Sequence, residues 1–299
     1  MTVINTNIAA TQAAVASNSA SRMTSQAMQR LSTGMRINSA ADDAAGLAIS
    51  NTMTSQIDGM RQAVSNANDG ISLAQTAGGA LTEVTNMLQR IRQLAVQSSS
   101  GTYQASDRTS MQSEVSNLTQ QISGILSTTT FNGVNVFAIT SGAPAANGSQ
   151  DITTTVQTGA NNGENVVIDS PAFNGSQLYG TSGGTGLTSY SNATGVTQAM
   201  DVSNQTTSAT TITNVDSIIV QVNATQAAMG AAQNRLTSVV NNLNTNITNL
   251  ASARSRIQDT DYSTETTNLA KAQILSQAST AMIAQANQSQ QNVLSLLKG

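Results

Sequence analysis

Apolar side chains recur along most of the chain at alternating steps of four and three, the spacing that places them on one face of an α-helix. Met53, Ile57, Met60, Val64, Ala67, Ile71 and Ala74 form one such stripe, which resumes after Gly78 as Leu81, Val84, Leu88, Ile91 and Ala95. The pattern predicts one helix. It opens near Ser39 to Asp43, where a hydroxyl and two carboxylates suit the free amides and positive end of a helix, and stops at the run from Ser98 to Gly101. From Ala44 to Ser98 that helix would be about 82 Å long, so an elongated molecule is expected. Met111, Val115, Leu118, Ile122 and Ile125 predict a short helix. Ile218, Val222, Thr225, Met229, Ala232, Leu236, Val239, Leu243, Ile247 and Leu250 predict another long one. Narrow stripes of this kind are buried only against one another, which predicts a mainly α, elongated helical bundle.

Weaker stripes mark the ends: Ile4, Ile8 and Val15 followed by Met23, Ala27, Leu31 and Met35, and later Leu275, Ala278, Met282, Ala286, Val293 and Leu296. Such helices are marginal in water by themselves. Between about 140 and 212 the periodicity fails, and both prolines (Pro144, Pro171) and ten of the 21 glycines lie there, so short strands and solvent-facing loops are expected. Residues 176–195 in particular read as an outward loop with nothing to bury. Asn132-Gly133 inside Phe131 to Val136 fits a tight hairpin turn, since both central residues tolerate positive φ, and Asn165 to Ile168 is a second strand candidate.

The chain holds no Cys and no His. That removes disulfides, thiol nucleophiles, imidazole bases and Cys- or His-ligated metals, so neither an enzyme nor a cofactor is expected. A net charge of -3 and no basic cluster argue against nucleic acid. The charge is banded: residues 131–220 carry five acids and no base. No basic stretch precedes the uncharged start, and Thr11, Gln12 and Ser17 interrupt it, against a cleavable signal. Ala272 to Leu297 is uncharged, but 13 of its 26 residues are Gln, Asn, Ser or Thr, too polar for a membrane. Asp42-Asp43 reads as a helix cap. Asp259 and Asp261 resemble the start of a calcium loop, yet Thr264 and Ala270 stand where Gly and Glu are required.

Ile4-Asn5-Thr6-Asn7 and the run Leu31-Ser32-Thr33-Gly34-Met35-Arg36-Ile37-Asn38-Ser39-Ala40-Ala41-Asp42-Asp43-Ala44-Ala45-Gly46-Leu47-Ala48-Ile49 resemble the amino-terminal signature of bacterial flagellin. The resemblance continues through Asn66 to Gln75 and Leu88 to Gln97. Phe131-Asn132-Gly133 and Gly159-Ala160-Asn161 fit the family's hairpin region, and Ser255 to Tyr262, Ala286-Asn287-Gln288 and Val293 to Leu297 fit its carboxy-terminal end. Departures are Gly78, Gln93 and Gln258, where members often carry an acid, and Ser289-Gln290 in place of a hydrophobic-proline pair.

The resemblance implies a subunit of the flagellar filament, a motor-driven propeller, in which the two chain ends pair as a coiled coil lining the inner wall. It divides the chain into residues 1–44 with 257–299 (terminal coiled coil), 45–140 with 213–256 (bundle with β-hairpin) and 141–212 (variable and surface-exposed). It implies assembly through Ile4, Ile8, Val15, Leu31, Leu275, Met282, Val293, Leu294, Leu296 and Leu297. It implies secretion, unfolded, through the flagellar type III export apparatus with an export chaperone. Its further partners are other copies of the chain, the filament cap, hook-associated proteins and a host Toll-like flagellin receptor reading Gln89, Arg90, Leu94 and Gln97, with Glu114 beside them. Arg90, Leu94 and Gln97 step by four and three and are expected on one outer face, apart from the core residues Leu88, Ile91 and Ala95. A hook-filament junction protein has similar ends and is the second reading. A chemotaxis-receptor hairpin would need a membrane span or Glu-rich sites, and a flagellin-borne zinc protease would need histidine.

Overall fold

A computed structural model of the chain describes residues 6–144 and 149–298, with side chains described as far as Asn292. In order, the elements are α1 (Ile8–Thr33), α2 (Ala44–Ser98), α3 (Ala105–Thr128), β1 (Thr130–Phe131), β2 (Val134–Asn135), β3 (Ile139–Thr140), β4 (Ile152–Gln157) and β5 (Asn165–Ser170). They continue with β6 (Phe173–Asn174), α4 (Gly175–Leu178), β7 (Thr181–Ser182), β8 (Thr185–Gly186), β9 (Val196–Thr197), α5 (Gln205–Gln258) and α6 (Tyr262–Lys298). The mainly α expectation holds, and the long predicted helix runs unbroken over the expected span.

The chain forms two compact units, residues 1–57 with 248–299 and residues 58–247. Both boundaries fall inside long helices, α2 and α5. Within the first unit, hydrogen bonds join the first turns of α2 to the last turns of α5. Ser50 donates to the Gln258 side chain at 2.7 Å, and Arg254 donates to Thr54 at 3.1 Å.

In the first unit α1 and α6 run antiparallel, from Asn7, whose side chain donates to the Ala286 carbonyl at 3.1 Å, to Leu31, whose carbonyl accepts from Tyr262 at 3.2 Å. Helix α1 ends at Gly34, which takes φ +71, closed to most side chains, and donates its N–H to Arg30. Beyond it the Arg36 amide and guanidinium both reach carbonyls at the end of α5, Gln258 at 2.7 Å and Ile257 at 2.7 Å. Asp43 accepts from Gly46 N–H and opens α2 as the sequence suggested. Asp261 likewise caps α6. The Thr264 hydroxyl and the amides of Thr264 and Ser263 hold its carboxyl below the ordinary carboxylate range.

The second unit is the bundle. Leu81, Val84, Leu88 and Ile91 of α2 pack with Val115, Ile122 and Leu126 of α3 and Val215, Ile218, Val222 and Leu236 of α5 in one core. The C-terminal end of α2 is closed by Arg108, which donates to the carbonyls of Ser98 and Ser100 at 2.9 and 2.8 Å. β4 and β5 pair antiparallel from Ile152↔Ser170 to Gln157↔Asn165 and lie against α2 at Gly70, where a Cβ would come within 3.0 Å of both Val156 and Leu236. Asn132 and Gly133 take φ +50 and +79 between β1 and β2, the predicted turn.

The middle region departs from expectation. Residues 141–212 are not uniformly surface-exposed: Val156, Val166, Ile168, Phe173, Leu178, Tyr179, Met200 and Val202 are buried in the bundle core. Leu178 and Tyr179 are completely buried, so residues 176–195 are not an outward loop with nothing to bury. Too few apolar residues stand in a row there to register as a stripe, yet isolated large ones fill the core from short strands. Phe173 meets Phe137 edge-on with ring centroids 5.9 Å apart.

Candidate assembly and recognition surfaces

The pair of terminal helices is built from small residues. Ala20 and Ala27 on α1 and Ala272 and Ser279 on α6, each pair seven positions apart, are buried, and Glu265 continues the row by another seven. Side chains of this size let two helices approach closely, but they bury little apolar area. Glu265 is met by Arg30 at 3.8 Å, a buried-end contact in an otherwise uncharged seam.

Most of the larger apolar residues of both helices face away from the seam, while Leu31, Leu269 and Ile283 are half-buried. Ile8 is 57% exposed, Val15 63% and Met282 60%, and Met23, Met28, Ile274 and Leu275 are exposed too. Of the assembly residues expected from the sequence, Ile8, Val15, Leu275 and Met282 lie on this exposed surface. Leu31 is half-buried at the Tyr262 end. Ile4 and the side chains of Val293, Leu294, Leu296 and Leu297 lie outside the described residues. Met28 and Ile274 were missed because they fall off the stripes. The seven-residue spacing of small side chains was the signal that would have separated seam from outer face.

On the second unit Gln89, Arg90 and Gln97 are exposed on α2, as expected. Arg90 Nε donates to Glu114 at 2.7 Å and its Nη1 to Gln93 at 2.9 Å, so the guanidinium is already fixed between α2 and α3. Arg92 similarly bridges α2 to α5 through Asp216 at 2.6 Å. Ion pairs this exposed add little stability and mainly orient their side chains.

Leu94 is a correction. It is 2% exposed and belongs to the core, not to the outer face with Arg90 and Gln97. Neighbours on both flanks of α2 widen its buried stripe beyond the row of Leu88, Ile91 and Ala95, so that Leu94 is covered as well.

Two family models match: the bacterial flagellin N-terminal helical region over residues 4–141 and the C-terminal helical region over residues 212–297. The chain is 41% identical to a flagellin of Bacillus subtilis over 99% of both chains. The chain belongs to the bacterial flagellin family. It is also 38% identical to the flagellar filament 33 kDa core protein of Treponema phagedenis, over 99% of this chain and all of that one. Among solved structures it is similar to a flagellin of Bacillus cereus (28% identity, TM-score 0.43, 64% of this chain and 94% of that one). A putative flagellar hook-associated protein of Vibrio parahaemolyticus shares its fold at 14% identity (TM-score 0.55, 73% of this chain and all of that one). Relatives along almost the whole length favour a filament subunit over the junction protein.

Two departures from the family pattern have local explanations. Gln93 accepts a hydrogen bond from Arg90 as an acid would. Gln258 accepts from Ser50 and donates to the Met35 sulfur at 3.1 Å, and an ionised acid could only accept.

Proposed function

We propose that copies of this chain polymerise into the flagellar filament by burying the outward stripes of α1 and α6 against neighbouring copies, and that the filament serves as a swimming propeller. The observation that carries this is the exposure of Ile8, Val15, Leu275 and Met282 on a helix pair whose fully buried positions are mostly alanine and serine. Each large apolar side chain buried between copies contributes roughly 1.5–3 kcal/mol before ordering is subtracted. Contacts between unlike faces whose rotation does not close a ring generate a helical tube.

The triple variant I8S/V15S/M282S tests this. The monomer's circular dichroism and melting should match the parent, because none of the three side chains supports the monomer's core, while sedimentable filaments should be lost. Normal filaments from the variant would overturn the reading.

Secretion through the flagellar export apparatus, with an export chaperone, a filament cap and hook-associated proteins, is part of the same proposal. So is recognition by a host Toll-like receptor at Gln89, Arg90, Gln97 and Glu114. The support for the last is the exposed, ion-paired geometry of Arg90, a side-chain type that often dominates interfaces.

A further inference from the structure

Asn–Gly is the dipeptide most prone to spontaneous deamidation, because glycine leaves its own backbone nitrogen unhindered beside the asparagine amide. Three such pairs lie among the described residues, at 132–133, 162–163 and 174–175, and the fold treats them differently. Asn174 is 7% exposed, and its side chain accepts from the Gln177 amide at 3.3 Å. A Cβ on Gly175 would run into the Leu187 carbonyl, so no room exists for the backbone to rearrange. Asn132 is exposed at the hairpin tip, and nothing lies within 4 Å of a Cβ on Gly133. Asn162-Gly163 is similarly open, but it lies in a loop whose residues are not in the core.

We propose that Asn132 is a self-modifying site that converts to aspartate and isoaspartate in the folded protein and thereby loosens the β1–β2 hairpin. The backbone nitrogen of Gly133 attacks Cγ of Asn132, forming a new bond. The bond between Cγ and Nδ2 breaks, and ammonia leaves with the proton given up by the attacking nitrogen. Water then opens the succinimide at either carbonyl. One opening gives aspartate. The other gives isoaspartate, which routes the backbone through the former side-chain carbons and lengthens the turn by a methylene.

Both products disturb this hairpin in particular. The two-residue turn requires φ of +50 and +79, and its flanking strands are only two residues each, so an added methylene shifts Phe131↔Val134 and Thr130↔Asn135 out of register. The Val136 amide, which donates to the Thr129 carbonyl at 3.2 Å, closes the same hairpin, and Val136 itself is buried. Asn132 also lines a groove of about 720 Å³ that Asp69 lines too, so conversion adds a second acidic residue to its wall.

The test is to age the full-length protein at mildly alkaline pH and to map peptides by mass spectrometry beside a sample kept unfolded in denaturant. Asn132 should convert within about tenfold of its unfolded rate, whereas Asn174 should be slowed by more than about tenfold. In the aged protein, amide exchange at 130–136 should rise. The variant N132G, whose Gly-Gly turn still permits both positive φ values, should keep its exchange protection through the same treatment. Protection of Asn132 equal to that of Asn174 would overturn the proposed site. Unchanged exchange in fully converted protein would overturn the proposed loosening.

Discussion

The hydroxyl of Ser98, at the last turn of α2, donates to the carbonyl of Val202 at 2.6 Å, and both residues are completely buried. The bond joins positions 104 apart and ties the segment entering α5 to the end of α2. S98A should leave that carbonyl without its partner and lower stability by about 1–3 kcal/mol. Chemical denaturation of the monomer would show this as a lower midpoint with an unchanged slope.

Leu178 and Tyr179 make residues 176–195 part of the core. Replacing the whole segment by a short Gly/Ser linker should therefore destabilise the bundle severely. L178A alone should cost about 2–5 kcal/mol. Thermal melts of both variants check it, and a linker variant as stable as the parent would return the segment to the surface.

Leu94 and Arg90 should separate in their effects. L94A should lower monomer stability by about 2–5 kcal/mol, since it empties core volume. R90A should leave the melt nearly unchanged and weaken binding to the host receptor ectodomain. Comparing melting temperature with equilibrium affinity for the two variants distinguishes a packing residue from a contact.

Tyr179 supplies a pH dependence. Burial pushes its hydroxyl up to about 12 from 10.0, and a weak polar interaction with the Ser123 hydroxyl offsets part of the rise. The folded state thus keeps its proton where the unfolded state loses it. Stability is unaffected below pH 10 and falls between about 10 and 12, by roughly 2–3 kcal/mol. Y179F removes the titrating hydroxyl and should flatten that alkaline limb of the stability curve. An unchanged limb in Y179F would assign the fall to other groups.

The helices, the cap at the start of α2 and the Asn132-Gly133 turn were legible in the sequence because each depends on residues a few positions apart: apolar steps of three and four, a carboxylate at 43, and two residues able to take positive φ. The family signature was legible for the same reason, as contiguous runs at both ends. The large apolar stripes by themselves did not decide which face of α1 and α6 forms the seam. An apolar stripe marks a surface that avoids water without naming its partner, and here Ala20, Ala27, Ala272 and Ser279 are buried between the helices while Ile8, Val15, Leu275 and Met282 stay outside. Nor could the sequence place Leu94 or Tyr179. Leu94 is buried because helices flank α2 on more than one side, and Tyr179 because a four-residue helix between short strands carries it into the bundle. Both depend on elements far away in sequence, and only tertiary structure brings them together.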